Sequence, residues 1–211
     1  IVGITNAINL IDGLDGLAAG VSSISSLSLF IISVLRTDVD AYTAAYTAML
    51  TASLSGSTLG FLPYNFNPAK IFMAETGSAF LGFTLGAVSI QGTLKSYAAI
   101  SIAIPLLVLG LPLFDTVFAI LRRLLSGKPI MQADRGHLHH RLIDMGLSQK
   151  QSVAVLYMAS SVLGLCAILL AKIRSVSAII FPVAVSLFLI GGAKYMSEMR
   201  NDNGSETVSN T

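Results

Sequence analysis

Six apolar stretches constrain the fold of this chain more than any other feature of its sequence. Each is close to the roughly 20 residues that a helix needs to cross the hydrocarbon core of a bilayer. Hydrophobic residues make up 54% of the 211 residues and charged residues only 11%, against about 25% charged in soluble domains. The sequence therefore predicts an all-α membrane protein, a polytopic bundle of about six transmembrane helices. The predicted spans are 17–35, 42–62, 78–95, 97–121, 152–171 and 177–196.

The charge balance and the cysteine content exclude several classes of protein. The chain has 13 basic and 11 acidic side chains and a net charge of +2, which is too balanced for a nucleic-acid-binding protein. We therefore expect no nucleic-acid partner. Cys166 is the only cysteine, so neither an intrachain disulfide nor a cysteine zinc cluster can form.

The polar segments between the apolar stretches alternate between long and short. Because each helix crosses the membrane once, this alternation places the long segments and the C-terminal tail on one face. That face holds nine Lys and Arg residues and the other face four, which indicates that the long segments are cytoplasmic. The long segments are 1–16, 63–77 and 122–151, and the short ones lie near 36–41, 92–96 and 172–176.

We expect two parts in the chain. Residues 1–196 would form the C-terminal part of an integral-membrane domain, and the polar residues 197–211, which lack aromatic side chains, would form a disordered tail. The apolar opening Ile1–Ile4 is too short to cross a bilayer. We therefore expect an N-terminal part to precede it.

Asparagines and aspartates are concentrated in the first long segment. If this segment begins as a helix, Asn6, Asn9 and Asp12 lie along one of its faces. The glycines that flank Asp15 would then allow a turn in which backbone and carboxylates approach a ligand closely. The alternative is that Asp12 or Asp15 caps the helix that begins near Leu17. Capping explains one aspartate, but not two aspartates together with two asparagines.

The second long segment ends with a lone acid, Glu75, just before an apolar helix. Its carboxylate could simply complement the helix dipole. Alternatively, it is an oxygen ligand for Mg²⁺, which prefers one or two carboxylates together with waters and substrate phosphates. The local sequence alone favours the dipole.

The third long segment contains every histidine of the chain: His137, His139 and His140. A zinc site is one interpretation, but no cysteine is near and carboxylates would have to come from elsewhere. An anion site fits better, because arginines bind phosphate oxygens bidentately and imidazoles donate hydrogen bonds. Positive-inside topology with lipid headgroup contact also explains the arginines, but not the clustered histidines. The arginines are Arg122, Arg123, Arg135 and Arg141.

Asp115 lies inside an apolar stretch, roughly two helical turns before Arg122. A carboxylate at membrane depth is costly and is a functional candidate by default. A structural role, bonded to a neighbouring helix, remains the alternative.

Three separated motifs resemble those of the polyprenyl-phosphate N-acetylhexosamine-1-phosphate transferases, the glycosyltransferase family 4 enzymes of the WecA, TagO and MraY types. Asn6-x-x-Asn9-x-x-Asp12-Gly13-x-Asp15-Gly16 is similar to the family's loop at the nucleotide-sugar site. Asn65 to Phe83 resembles its segment N-F-x-P-A-x-I-F-M-G-D-x-G-S, whose aspartate binds magnesium. Phe114-Asp115-Thr116, Arg122-Arg123 and Gly136–Arg141 resemble the branch that uses UDP-GlcNAc, whereas the MraY branch usually has three adjacent histidines.

The resemblance implies transfer of GlcNAc-1-phosphate from UDP-GlcNAc to undecaprenyl or another polyprenyl phosphate, with release of UMP. The reaction would initiate a cell-wall or surface glycan at the bacterial plasma membrane. The implied metal is Mg²⁺, with Mn²⁺ as an alternative, and its ligands would be Glu75 and Asp12. The implied catalytic residues are Asp12, Asp15, His137, His139 and His140, and the implied substrate-binding residues are Asn6, Asn9, Asn65, Arg122, Arg123 and Arg141.

Other interpretations stay open at this point. They are a phospho-MurNAc-pentapeptide transferase activity, a non-catalytic homologue that binds lipid or nucleotide, and a transporter or channel with a proton path. A transporter predicts polar residues at midplane depth, and only Asp115 supports it. Homodimers are common in the resembled family, but no residue here fixes an interface.

The chain departs from the family pattern in two places. Ala74-Glu75 stands where the family has Gly-Asp, which lengthens the carboxylate arm by one methylene and could shift a metal site that demands near-ideal geometry. The family's adjacent aspartate pair has no counterpart in these 211 residues, and its place would be upstream of Ile1. We therefore expect the 211 residues alone to be inactive.

Overall fold

The computed structural model describes residues 1–37, 39–91, 98–127 and 136–173. Within these ranges all regular secondary structure is α-helical, which confirms the predicted all-α class. The eight helices described are α1 (Val2–Ile11), α2 (Leu17–Leu35), α3 (Ala41–Asn65), α4 (Ala74–Gln91), α5 (Ala98–Val108), α6 (Gly110–Leu125), α7 (Leu138–Asp144) and α8 (Gln149–Ile173).

Helix α2 forms the centre of the bundle. It packs against α3 and α8 most extensively, and also against α1, α4 and α5. Small residues allow these helices to approach closely, as is common in membrane bundles. The ring of Tyr157 in α8 occupies the space where a Cβ on Gly20 would stand, and Ser28 of α2 fills the corresponding space beside Gly164 of α8.

Two helices of the described ranges, α2 and α8, are long and apolar enough to cross a membrane by themselves. The pair α5 and α6 adds a third candidate span if it is taken as one bent span. The bounds of α2 agree with the predicted span 17–35. Helices α3 and α4 occupy the next two predicted stretches without reaching the same apolar character. The six-helix count is thus not confirmed, and the predicted span 177–196 and tail 197–211 lie outside the described residues.

The prediction of one continuous helix over 97–121 is wrong. Helices α5 and α6 meet at Leu109 with a bend of 85°. The local cause is Pro112, which has no N–H to donate to the carbonyl of Val108 four residues earlier. The hydroxyl of Ser25 in α2 donates to that carbonyl instead, at 3.0 Å. The freed backbone group is therefore satisfied inside the protein, as the interior of a membrane bundle requires.

The first long segment is mostly helical rather than a loop. Helix α1 packs against α4 and α6 and buries Ala7, Ile8 and Ile11. Gly82 of α4 lies against the backbone of Thr5, where an added Cβ would come within 2.7 Å. The first segment therefore begins as a helix, as the placement of Asn6, Asn9 and Asp12 on one face requires.

Candidate functional site

The turn between α1 and α2, residues 12–16, is fixed by two other helices. Gly16 has φ +81°, a conformation that glycine adopts at little cost. Its N–H donates to Oδ1 of Asn65 at the end of α3, at 3.2 Å, and its carbonyl accepts from the hydroxyl of Tyr157 in α8, at 2.5 Å. Asn65 Nδ2 in turn donates to the carbonyl of Ile71 at 3.0 Å. Asn65 therefore joins the turn to the segment that leads into α4.

Asp15 connects the turn to the same segment through its carboxylate. Its Oδ2 accepts from Asn67 Nδ2 at 3.0 Å and from the backbone N–H of Ala69 at 3.1 Å. Asn67 Nδ2 also donates to Oε1 of Gln149 in the first turn of α8, at 2.8 Å. The alternative that an aspartate caps α2 is wrong, since the N-cap residue is Gly16 and neither aspartate side chain makes a capping hydrogen bond to the helix.

A cleft of about 480 Å³ separates this turn from the start of α4. Glu75 is exposed in the first turn of α4, and Ala74 before it has φ +57°. Asp12 and Glu75 line the same cleft, and the apolar side chains of Phe72 and Met73 border it. The complete lining is Asn9, Asp12, Gly13, Leu14, Asp15, Asn65, Phe72, Met73, Ala74 and Glu75.

The donor atoms of this cleft fit a hard divalent cation. Burial raises the pKa of Asp12 to about 6, because a carboxylate loses hydration there. A bound cation would offset that cost. The described residues contain no group of three or more His, Cys, Asp or Glu side chains arranged to hold a metal ion by themselves, but Mg²⁺ commonly uses only one or two carboxylates and completes its shell with waters and substrate phosphates.

Asp115 holds the start of the histidine segment in place. Its Oδ2 accepts from His137 Nδ1 at 2.9 Å, and its Oδ1 accepts from the backbone N–H of Leu138 at 2.8 Å. Both the carboxylate and the imidazole are buried. Asp115 therefore has the structural role that was its alternative interpretation, except that it bonds the histidine segment and not a neighbouring membrane helix.

The rings of His137 and His139 are stacked, the ring of His140 is tilted by 42° to that of His139, and His139 lies against the α1–α2 turn. His139 lies parallel to His137, with ring centroids 5.8 Å apart, and its ring centroid is 4.3 Å from that of His140. A Cβ added to Gly13 would stand 2.5 Å from His139 Nε2, so only glycine allows this approach. Burial, and next the charge of His140, lowers the pKa of His139 to about 4. His139 is therefore neutral at pH 7, and it lies against Gly13, the residue next to Asp12.

The arginines occupy different positions around this segment. Arg122 donates to the carbonyl of Gly136 at 2.6 Å. The guanidinium of Arg141 lies 5.5 Å from the centre of the Phe118 ring, a cation–π distance. Arg123 lies in the last turn of α6 beside Arg122. Arg135 lies outside the described residues.

Five of the twelve predicted site residues line the cleft, and some contact residues were not predicted. Asn9, Asp12, Asp15, Asn65 and Glu75 share the cleft, whereas Asn6 is exposed on α1 and does not line it. The additional residues are Ser78, whose hydroxyl accepts from Asn9 Nδ2 at 2.8 Å, Asn67 and Tyr157. Ser78 and Asn67 lie within the second motif, so the motif could have identified them as site residues. Tyr157 stands in an apolar stretch that carries no such signal.

The chain is similar to known proteins that are named as N-acetylglucosamine-1-phosphate transferases acting on polyprenyl phosphates. The family model described as "Glycosyl transferase family 4" matches residues 1–93. A probable undecaprenyl-phosphate N-acetylglucosaminyl 1-phosphate transferase of Bacillus subtilis is 50% identical over 170 residues, 81% of this chain and 46% of that protein. A decaprenyl-phosphate N-acetylglucosaminephosphotransferase of Mycolicibacterium smegmatis is 37% identical over 115 residues, 49% of this chain and 28% of that protein. The matched segments thus span less than half of these relatives.

Proposed function

We propose that this chain, which belongs to glycosyl transferase family 4, takes part in the transfer of GlcNAc-1-phosphate from UDP-GlcNAc to a polyprenyl phosphate with release of UMP. The observation that supports this most strongly is the convergence of three distant segments on one cleft. Asp12 and Glu75 line that cleft, and His139 lies against Gly13 at its edge. Carboxylates with a neutral imidazole suit a metal-bound diphosphate.

The proposed reaction exchanges one phosphoanhydride for another. An oxygen of the lipid phosphate attacks the β-phosphorus of UDP-GlcNAc, a new P–O bond forms, and the bond to the bridging oxygen breaks so that UMP leaves. Because bonds of the same kind are made and broken, catalysis consists of positioning two anions and offsetting their charge. A bound Mg²⁺ would supply charge neutralisation at the diphosphate, and Asp12 and Glu75 are the residues that would hold it.

One helix N-terminus lies at the cleft, since Ala74 and Glu75 of the first turn of α4 line it. Helix N-termini carry partial positive charge and unpaired N–H groups, which favour phosphate. His139 is neutral, so it can donate one hydrogen bond to an oxyanion without adding a fixed charge.

A site at one end of a membrane bundle matches the two substrates. The polyprenyl tail must stay in hydrocarbon while its phosphate meets a donor dissolved in water. We propose that the cleft faces the cytoplasm at the bacterial plasma membrane, as the distribution of Lys and Arg predicts. The names of the relatives specify undecaprenyl phosphate for the Bacillus protein and decaprenyl phosphate for the mycobacterial one. We propose a polyprenyl phosphate acceptor for this chain, and a surface or cell-wall glycan as the product's destination.

The transporter alternative loses its main support in the structure. It depended on Asp115 as an acid at membrane depth. Both oxygens of Asp115 bond instead to His137 and to the backbone of Leu138, at the entry to α7. This carboxylate therefore has a bonding role within the proposed site.

The test is replacement of Glu75 in the intact, membrane-inserted protein, with UMP release measured against Mg²⁺ concentration. Loss of a charge-stabilising metal ligand is worth several kcal/mol, so Glu75→Ala should lower turnover by about 100-fold or more. Glu75→Asp should preserve or raise activity, since it restores the acid of the resembled motif. Asp144→Ala, which removes an exposed carboxylate of α7, is the matched control and should leave turnover unchanged. Turnover that survives Glu75→Ala would remove Glu75 from the metal site.

A further inference from the structure

Tyr157 reaches from α8 to the first turn of α2 and contacts two glycines there. Its hydroxyl donates to the carbonyl of Gly16, and its ring fills the space beside Gly20. Gly16 and Gly20 are one helical turn apart, so they lie on the same face of α2. The two glycines therefore form a slot that receives one tyrosine ring.

The hydroxyl of Tyr157 is not needed to satisfy the backbone. The carbonyl of Gly16 already accepts the helical hydrogen bond from the N–H of Gly20, at 2.9 Å. The bond from Tyr157 is a second one to an acceptor that has two lone pairs. The main effect of this second bond is to fix the position of the turn relative to α8, because the carbonyl would be satisfied without it.

Gly16 is restrained from several directions at once. Its N–H bonds Asn65, its carbonyl bonds Tyr157, and a Cβ at this position would stand 3.1 Å from the ring of Phe66. Gly16 directly follows Asp15 and lies four residues after Asp12. Helix α8 also reaches this turn by a second route, since Gln149 bonds the Asn67 that bonds Asp15.

We infer that Tyr157 is a positioning residue for the proposed reaction: its hydroxyl fixes the α1–α2 turn, and with it Asp12, at the distance from Glu75 that the nucleotide-sugar diphosphate requires. This inference rests on the proposed function. Tyr157 lies outside the three motifs and outside the residues 1–93 that the family model matches. Its role is carried by contacts that join residues far apart in the sequence.

The test compares Tyr157→Phe with Tyr42→Phe in the intact protein. Tyr42 is exposed near the start of α3, so its variant loses a hydroxyl without touching the turn. Hydrogen exchange of the peptide that covers residues 12–20 measures how firmly the bond from Tyr157 holds the turn, and it does not require enzymatic activity. We expect Tyr157→Phe to speed exchange of this peptide by between about twofold and tenfold, the range that the loss of one neutral hydrogen bond produces. Tyr42→Phe should leave the exchange unchanged.

The kinetic readout separates positioning from simple stability. Tyr157→Phe should raise the KM for UDP-GlcNAc and the Mg²⁺ concentration at half-maximal rate by several-fold, while the midpoint of thermal unfolding stays close to that of the unmodified protein. Unchanged exchange, or faster exchange with unchanged kinetic constants, overturns the positioning role. If the unmodified protein releases no UMP, the proposed function fails and the positioning role falls with it, while the exchange experiment still reports whether the contact exists.

Gly20→Ala provides a second variant that keeps the hydroxyl. Its methyl group would occupy the space of the Tyr157 ring, so the ring and its hydrogen bond must move. We expect the same direction of change in KM and in exchange as for Tyr157→Phe, and a double variant whose effect is smaller than the product of the two, because both act through one contact. Independent, multiplicative effects would overturn the inference.

Discussion

The segments 12–16 and 72–75 line the same cleft but are fixed to the molecule in different ways. The first, which we call the turn wall, donates a hydrogen bond to α3, accepts one from α8 and packs against His139. The second, which we call the loop wall, carries Phe72 at 74% exposure, Ala74 with a left-handed backbone and the exposed Glu75. The difference suggests a division of roles, in which one wall sets the position of the substrate and the other supplies a carboxylate that can adjust.

This division explains how the departure from the resembled motif can be tolerated. The longer arm of Glu75, in place of aspartate, falls on the loop wall, where an exposed side chain has several rotamers open to it. The same added methylene on the turn wall would meet the restrained surroundings of Asp15 and Gly16. Substitutions that change one wall at a time test this division.

Asn65→Ala should break the turn wall and have the largest effect. Asn65 is 3% exposed, and its amide serves both the N–H of Gly16 and the carbonyl of Ile71. Its removal leaves two backbone groups without these partners, at a cost of about 2–5 kcal/mol. Unfolding by denaturant in detergent measures this loss, and turnover should fall with it.

Asn6→Ala is the matched control for that measurement. Asn6 is exposed on α1, and surface substitutions of this kind usually change stability by less than about 0.5 kcal/mol. If Asn65→Ala were equally mild, the turn would be held by other contacts, and the contrast between the two walls would disappear.

Acid should loosen the turn wall through His139. In the unfolded chain this imidazole binds a proton near its ordinary pKa of 6.5, but in the folded protein only near 4. The contribution of His139 to stability is therefore fully present above about pH 6.5 and is lost as the pH falls from there toward 4. Asp12, whose pKa burial raises to about 6 in the folded protein, contributes with the opposite sign over part of that range. Unfolding measured at several pH values in the unmodified protein and in His139→Gln, which cannot take up a proton, isolates the histidine: the stability difference between the two should change steadily between pH 6.5 and 4. A difference that stays constant with pH would show that other groups cause the dependence.

The sequence predicted which residues meet in the cleft better than it predicted how they are held there. The resemblance of the motifs placed Asp12, Asp15 and Glu75 in one site, and the three side chains line one cleft. The bond from Tyr157 to Gly16 joins residues 141 positions apart. No local pattern marks it, since a tyrosine in an apolar helix usually faces lipid or the bundle core.

The break at Leu109 shows the same limit for the fold. Pro112 was visible in the sequence, but proline is tolerated within membrane helices when other groups satisfy the freed carbonyl. Here the hydroxyl of Ser25, 83 residues away, satisfies the carbonyl of Val108, so the break leaves that group paired. The all-α class follows from composition, whereas the 85° bend is accommodated by a long-range hydrogen bond that no local pattern marks.

Ala74→Gly changes the loop wall and should have the smallest effect on folding stability. Ala74 has φ +57°, which costs an L-residue roughly 1–2 kcal/mol, while glycine gives back about 0.5–1 kcal/mol through the entropy of the unfolded chain. The net expectation is a gain of about 0.5 kcal/mol in the free energy of unfolding. Ala79→Gly, inside α4 with ordinary helical geometry, is the control and should lose about 1 kcal/mol. A loss at both positions would show that Ala74 is not strained, and the loop wall would then be as firmly determined as the turn wall.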